Sequence, residues 1–486
     1  MSTPRAGRAV EALGRHDSWE GVHAVVAGMG VSGFAAADNL THQGAHVTAL
    51  DESASGDRGE KATILEILGA DVRLGPGSTA QLPKDVDVVV TSPGWSPSAP
   101  LLTQAAERGV PVWGEVELAW RLRDPEHAAP WLAVTGTNGK TTTVQMLDSI
   151  LRAQGLRSVA CGNVGLPMVE AVMDPTPYDV LAVELSSFQL HYTASMTAQS
   201  AAVLNVAEDH LDWYSSFEQY AADKGIIFER VELACVYSVE DPWTERLVRA
   251  ADVSEGARAI GFTLGTPEVG MLGVVDGVLA DRAFIEERAD TAAELCSVGD
   301  LASDAPHFVS NALAAAALAR AHGVSAAAVR DGLRGFKTDG HRIAEVAVVD
   351  GVSYVDDSKA TNPHAAKSSL MAYDPVVWVA GGLAKGASFD DLVRGVRDRL
   401  RGVVLLGQDR ALIAAALSRH APDVRVIEVE GGETSVMDRV VRAAGGLAQP
   451  GDTVLLAPGC ASMDMFANYG ARGDAFTLAV HKLRNG

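Results

Sequence analysis

Lys140 stands in the run Thr135-Gly136-Thr137-Asn138-Gly139-Lys140-Thr141-Thr142, between an apolar stretch and a segment with helical periodicity. Residue types in that order suit the binding of a polyphosphate. Backbone N–H groups of the turn and of the helix mouth converge on the anion, and the helix dipole adds to their field. The Lys140 ammonium would reach the β- and γ-phosphates, and the Thr141 hydroxyl a Mg²⁺ ion. Compared with the usual G-x-x-x-x-G-K-[ST] pattern, only two residues separate Gly136 from Gly139, so the loop is a shortened variant. A second glycine-rich turn, Gly28-Met29-Gly30-Val31-Ser32-Gly33, is followed eighteen residues later by Asp51. Such glycines admit a diphosphate close to the backbone, and the acid accepts a hydrogen bond at the next strand end. A nicotinamide cofactor and a different nucleotide diphosphate would use the same physics, and a ligand-free packing turn would read alike.

Further polar residues sit where apolar runs end. Glu184 closes DVLAV and opens ELSSFQL, Asn163 lies in GNVG, and His210 lies in NVAEDHLDWY between Asp209 and Asp212. Acids at strand ends beside a phosphate loop hold Mg²⁺ or position an attacking group. Taken singly, Glu184 could be an exposed strand-end charge, His210 a structural histidine, and Lys224 in YAADKGIIFER a surface lysine. Asp357, Ser358, Lys359, Thr361 and Asn362 crowd into DDSKATNP, with Arg342 upstream in GHR. Ser462, Asp464, Tyr469 and Arg472 follow the run DTVLL, and Lys385 occupies the glycine-bounded loop AGGLAKG. These clusters read as binding edges or, more blandly, as caps and turn formers.

The elements needed to position these residues form an alternating strand–helix pattern, which implies an α/β protein with mostly parallel sheets. After the phosphate loop, Val144, Leu147, Ile150 and Leu151 fall on one helical face. The pattern lapses around Asp124-Pro125-Glu126-His127 and again in the turn-rich stretch 332–342. The expected organisation is therefore a flexible leader (1–18) and three α/β domains (19–125, 126–337 and 338–486). A chain of 486 residues is too long for one core and agrees with several domains. No apolar run is long enough for a bilayer span, and the leader lacks the apolar centre of a secretory signal. Forty basic against 62 acidic side chains give a net charge of −22, which argues against nucleic acid or an anionic membrane as partner. Cys161, Cys235, Cys296 and Cys460 lack metal-like spacing and read as reduced thiols of a cytoplasmic protein.

TGTNGKTTT, GNVG, ELSSFQL, EDHLDWY, the Lys224 segment, NALAA, HR, DDSKATNP and APGCASMDMF, in this order, resemble the motifs of the Mur ligases over nearly the whole chain. The resemblance is greatest to the members that add D-glutamate to UDP-N-acetylmuramoyl-L-alanine. It implies a Rossmann-like UDP-binding domain, a central P-loop ATPase-type domain, and a Rossmann-like C-terminal domain that closes over the nucleotide and brings in the amino acid. It further implies an ADP-forming amide ligase of peptidoglycan precursor synthesis, working through an acyl phosphate and a tetrahedral intermediate. ATP, two Mg²⁺ ions and a CO₂-derived carbamate on Lys224 would be its cofactors. The expected state is a cytoplasmic monomer with small-molecule substrates only.

By the same resemblance, Gly28, Met29, Gly30, Val31, Ser32 and Asp51 would hold the diphosphate and uracil. Ser92, Gly94 and Asn163 would help place the sugar phosphate end. Gly136, Thr137, Asn138, Gly139, Lys140, Thr141 and Thr142 would cradle ATP, and Asn311, Arg342 and Asp357 would contact its adenine, phosphate and ribose. Thr141 and Glu184 would serve one Mg²⁺ ion and His210 a second, with the Lys224 carbamate as a further metal ligand. Lys359, Thr361, Lys385, Ser462 and Tyr469 would surround the glutamate. One departure is Phe308, which replaces the first Asn of the family's His-Asn-x-x-Asn pattern before Asn311 and removes a polar contact to adenine. Rival readings are a ligase for L-glutamate or a diamino acid, folylpolyglutamate synthetase, a nicotinamide-dependent dehydrogenase and a non-catalytic nucleotide binder. DSKATNP stands where diamino-acid ligases carry a DNPR-type motif. The first domain has no role in folylpolyglutamate synthetase, and the joint presence of Lys140, Glu184, His210 and Lys224 speaks against lost catalysis.

Overall fold

Valine- and alanine-rich runs form the inner strands of three sheets, and parallel strands covered on both faces require such continuously apolar sequences. A computed structural model describes residues 10–210, 213–337, 340–341, 343–431 and 436–485. The first sheet comprises β1 (His23–Ala27), β2 (His46–Asp51), β3 (Asp71–Leu74), β4 (Val88–Thr91) and β5 (Val112–Gly114). Its order is β3-β2-β1-β4-β5, with every pair parallel. The order reverses between β1 and β4, and the glycine-rich turn after β1 lies at that switch point, where open α/β sheets bind ligands.

The second sheet contains β6 (Trp131–Thr135), β7 (Ser158–Gly162), β8 (Val180–Glu184), β9 (Ser200–Val203), β10 (Ala234–Ser238), β11 (Arg258–Phe262), β12 (Met271–Val275), β13 (Val278–Asp281) and β14 (Ala293–Ser297). Their order is β14-β13-β12-β11-β10-β9-β6-β8-β7. The strands from β7 to β12 run parallel, whereas β12, β13 and β14 form an antiparallel edge that the alternating pattern did not announce. Asp276-Gly277, with φ of 49° and 77°, makes the tight turn between β12 and β13, as an Asp-Gly pair does in hairpins. The third sheet holds β15 (Ala344–Val349), β16 (Val352–Asp356), β17 (Val376–Ala380), β18 (Leu400–Leu405), β19 (Arg425–Glu428) and β20 (Thr453–Leu456) in the order β15-β16-β20-β17-β18-β19. Only β15 is antiparallel to its neighbour.

The first two sheets belong to one compact unit. The third sheet forms another, which begins at Lys337 and also takes in Ala207–Phe217 and Ala305–His307. The segment bearing His210 thus groups with the third sheet, although in chain order it follows β9 of the second. Inside the first unit, the helix Glu115–Leu122 is anchored by two buried acids. Glu115 Oε1 accepts the Val169 N–H at 2.7 Å, and Glu117 Oε2 accepts those of Ala194 and Ser195 at 2.8 and 2.9 Å.

Within the expected leader, Val10 is buried in a short 3₁₀ turn and Arg15 donates to Val172 O at 3.0 Å; Trp19, the first residue beyond it, is completely enclosed. All four cysteines are free thiols in buried positions. Among the described residues no helix is long and apolar enough to cross a membrane.

Candidate active site

The helix Lys140–Ala153 begins directly after the shortened loop, and Val144, Leu147, Ile150 and Leu151 are all buried on its inner side. Gly139 at its start has φ +85°, and an added Cβ would fall 2.3 Å from Asn311 Oδ1. Asn311, in the helix Pro306–Ala321, therefore packs against the last loop glycine. The Lys140 ammonium folds back onto the loop, donating to Gly136 O at 2.8 Å and Thr137 O at 2.9 Å. Lys224, only 2% exposed, donates to the same Gly136 oxygen at 3.0 Å. Its ammonium lies 4.4 Å from the centre of the Tyr220 ring, a cation–π distance. The Tyr220 and Thr137 hydroxyls are 2.9 Å apart, so loop and lysine share one scaffold.

Glu184 ends β8, which neighbours β6 in the same sheet. Its side chain is 1% exposed; Oε1 accepts the Asn163 amide at 2.8 Å, while Oε2 is buried with no partner among the described residues. An unpartnered buried carboxylate oxygen is costly and marks a position where a cation or donor belongs. The Asn163 side chain thus turns toward Glu184.

At the first sheet, Asp51 takes the Met29 N–H at 2.7 Å, the Ser53 N–H at 2.8 Å and Arg58 Nε at 3.0 Å. Burial would raise its pKa, but these donors outweigh burial and hold the carboxyl below the ordinary range. Met29 is fully buried and Val31 is 66% exposed. Ser92 Oγ donates to Gly28 O at 3.4 Å, which ties the Ser92-Pro93-Gly94 turn to the glycine-rich one.

In the second compact unit, three adjacent strands, β16, β20 and β17, carry the remaining candidates at their C-terminal ends. The loops after β17 and β20 are joined by paired hydrogen bonds between Leu383 and Ala461, both 2.9 Å. This links the Lys385 loop to Ser462, which is buried. Lys359 lies 5.0 Å from the Tyr469 ring centre, and the Ser358 hydroxyl donates to Tyr469 O at 2.7 Å. Arg472 is enclosed beneath them and donates to Ser358 O and Cys460 O at 2.8 and 3.1 Å; burial lowers its pKa to about 10. Asp357 accepts a short hydrogen bond from Ser369, and Asn362 caps the helix Pro363–Leu370 through the Ala365 N–H. Asn362 also donates to Asp209 Oδ2 at 3.3 Å, and the neighbouring His210 adopts φ 56°. Arg342 and Asp212 lie outside the described residues.

Three family models match along the chain: a MurD-like N-terminal domain over residues 22–114, a Mur ligase middle domain over 134–319, and a Mur ligase glutamate ligase domain over 341–460. The UDP-N-acetylmuramoylalanine–D-glutamate ligase of Streptomyces coelicolor is 61% identical over 467 residues, covering 96% of this chain and 99% of the relative. The chain belongs to the Mur ligase family. Solved structures of the same fold include MurF from Acinetobacter baumannii (17% identical, TM-score 0.57, covering 97% of this chain and 93% of that one). MurC from Thermotoga maritima is 18% identical with a TM-score of 0.56, covering 95% and 99%.

The three Mur ligase matches fall on the three sheets, each carrying its own group of candidates. The first unit gathers Gly136–Thr142, Asn163, Glu184, Lys224 and Asn311. The second gathers Lys359, Thr361, Lys385, Ser462 and Tyr469, with His210 beside Asp209. Phe308, the departure from the Mur ligase pattern, is buried, its ring centre 6.2 Å from that of Phe336. Two polar residues were not singled out from the sequence: Tyr220, one helical turn before Lys224, and Asn205, just beyond β9. The i, i+4 spacing signals the first; only the fold brings the second to the loop.

Proposed function

We propose that this protein is an ATP-dependent, ADP-forming ligase that joins D-glutamate to UDP-N-acetylmuramoyl-L-alanine in peptidoglycan precursor synthesis. The observation that carries this reading is the juxtaposition of the Gly136–Thr142 loop, buried Lys224 and the unpartnered Glu184 oxygen in one compact unit. The choice of acceptor and amino acid is supported by the near full-length relative that bears the corresponding name.

In this reading Lys140 and the N–H groups at the helix mouth hold the triphosphate and offset charge developing on the transferred phosphoryl group. The alanyl carboxylate attacks the γ-phosphorus, and the bond to the ADP oxygen breaks, leaving an acyl phosphate. The unprotonated glutamate amine then attacks the activated carbonyl carbon. The tetrahedral adduct expels phosphate, and the former amine proton passes to solvent. Glu184 and the Thr141 hydroxyl fit a Mg²⁺ ion, since a hard cation suits oxygen donors and completes its shell with phosphate and water. No cluster of three His, Cys, Asp or Glu residues suited to a metal occurs among the described residues, so such a site depends on the substrate's own oxygens. Bound there, Mg²⁺ supplies Lewis-acid neutralisation of phosphate charge. His210 is assigned to a second ion. Addition of CO₂ to Lys224 would require the ammonium first to lose one proton; the free amine then forms an N–C bond and releases a second proton, so that a cation becomes an anionic oxygen donor.

Gly28 to Ser32, Asp51, Ser92, Gly94 and Asn163 are assigned to the UDP-sugar, and Asn311, Arg342 and Asp357 to the nucleotide. Lys359, Thr361, Lys385, Ser462 and Tyr469 are assigned to glutamate. The test is phosphate release with ATP, Mg²⁺ and UDP-N-acetylmuramoyl-L-alanine, comparing D-glutamate, L-glutamate, lysine and diaminopimelate. D-Glutamate should give the fastest release. Purified protein that consumes no ATP in its presence rejects the proposal.

A further inference from the structure

Asn205 belongs to no part of the chemistry assigned above, yet it makes three hydrogen bonds to the phosphate loop. β6 and β9 run parallel, with Thr135 opposite Val203. Their ladder continues past both strand ends: Leu204 N–H donates to Thr135 O at 3.0 Å, and Thr137 N–H donates to Asn205 O at 3.0 Å. One step further the backbone partner is replaced by a side chain. Asn205 Oδ1 accepts the Asn138 N–H at 2.9 Å, and Asn205 Nδ2 donates to Asn138 O at 3.1 Å. A primary amide offers the same donor–acceptor pair as a peptide group, so Asn205 acts as an extra strand residue at the sheet edge. Thr137 and Asn138 are the two residues between the loop glycines, and Asn205 binds both.

We infer that Asn205 is a positioning residue for nucleotide binding, an amide clamp that holds the shortened loop in its binding conformation. The inference rests on the reading of this loop as a nucleotide site and adds two consequences. The N–H groups of Thr137 and Asn138 are directed at Asn205, so the phosphates are received by the helix-mouth N–H groups from Gly139 onward and by Lys140. The Lys140 ammonium itself rests on Thr137 O, so the clamp also sets the starting position of the lysine.

The experiment measures ADP affinity by titration calorimetry on the full chain and on Asn205→Ala and Asn205→Asp, together with steady-state KM values. Loss of two neutral hydrogen bonds that order the loop should weaken ADP binding about tenfold in Asn205→Ala. Asn205→Asp should be weaker still, because its carboxylate faces the Asn138 carbonyl and adds negative charge near the phosphates. KM for ATP should rise in parallel, with KM for the UDP-linked substrate changed less than twofold. A merely structural role would lower the melting temperature while leaving ADP affinity of the folded protein unaltered. ADP affinity within twofold of wild type in either folded variant overturns the inference. Should Asn205→Ala fail to fold, Asn205→Asp, which keeps the size and the acceptor oxygen, decides it alone. A wild-type chain that binds no ADP would instead overturn the nucleotide reading of the loop.

Discussion

Two ammonium groups, those of Lys140 and Lys224, meet at a single acceptor, Gly136 O, at 2.8 and 3.0 Å. Like charges gathered at one oxygen favour the arrival of an anion, which both the phosphates of ATP and a carbamate would provide. Lys140→Ala should lower kcat by about 100-fold or more, the order seen when a charge-stabilising donor is lost, and a phosphate-release assay reads it. Lys224→Ala should be inactive and regain part of its turnover when a small carboxylic acid is added; loss without rescue would count against carbamylation. Glu115 gives a different kind of prediction. Burial raises its pKa from 4.5 to about 7, against the lowering effect of the Val169 and Met168 N–H groups. The folded state therefore binds this proton more tightly than the unfolded chain does. The associated stability is complete below pH 4.5 and is lost as the pH rises through about 7. The loss amounts to about 3 kcal/mol, so denaturant unfolding of Glu115→Gln should gain that much relative to wild type between pH 4.5 and 8.

At the scale of elements, the phosphate-loop helix is held from behind by the helix Ala326–Gly335. Gly332 lies against Ile150 so closely that an added Cβ would be 2.4 Å from the Ile150 Cα, and Ser149 Oγ donates to Gly332 O at 2.8 Å. Backbone cannot yield as a side-chain tip can, so Gly332→Ala should cost about 2 kcal/mol by forcing the helices apart. Urea unfolding measures that cost, and a fall of less than about 0.5 kcal/mol would contradict the packing. Gly139→Ala combines a φ of +85° with an overlap on Asn311. It should therefore affect nucleotide binding as well as stability, and the two substitutions separate support of the helix from formation of its mouth.

For the molecule as a whole, the division into two compact units separates the phosphate loop from the residues proposed for glutamate. Lys385 and Ser462 belong to the unit of the third sheet, and the Gly136–Lys140 loop belongs to the other. Lys385→Ala and Ser462→Ala should raise KM for glutamate about tenfold while leaving KM for ATP nearly unchanged, the magnitude of one or two lost charge-assisted hydrogen bonds. Equal rises in both constants would dissolve the assignment. A net charge of −22 makes the local lysines and helix mouths decisive, because the remainder of the surface repels polyanionic substrates.

The sequence by itself determined the local chemistry. Gly139 followed by Lys140 and a periodic apolar face can form little other than a strand–turn–helix unit, and short apolar runs alternating with helical segments dictate mostly parallel sheets. Periodicity and turn residues act over a few neighbours, so they are readable in order along the chain. Pairings across many residues are not. That Asn205 bonds to Asn138, that Asn163 turns to Glu184 and leaves one oxygen of that acid without a partner among the described residues, and that the His210 segment joins the third sheet's unit were decided by tertiary structure. The anchoring of Val10 and Trp19 belongs with them. Each depends on which strand lies beside which and on where a side chain finds room, quantities set by packing in three dimensions.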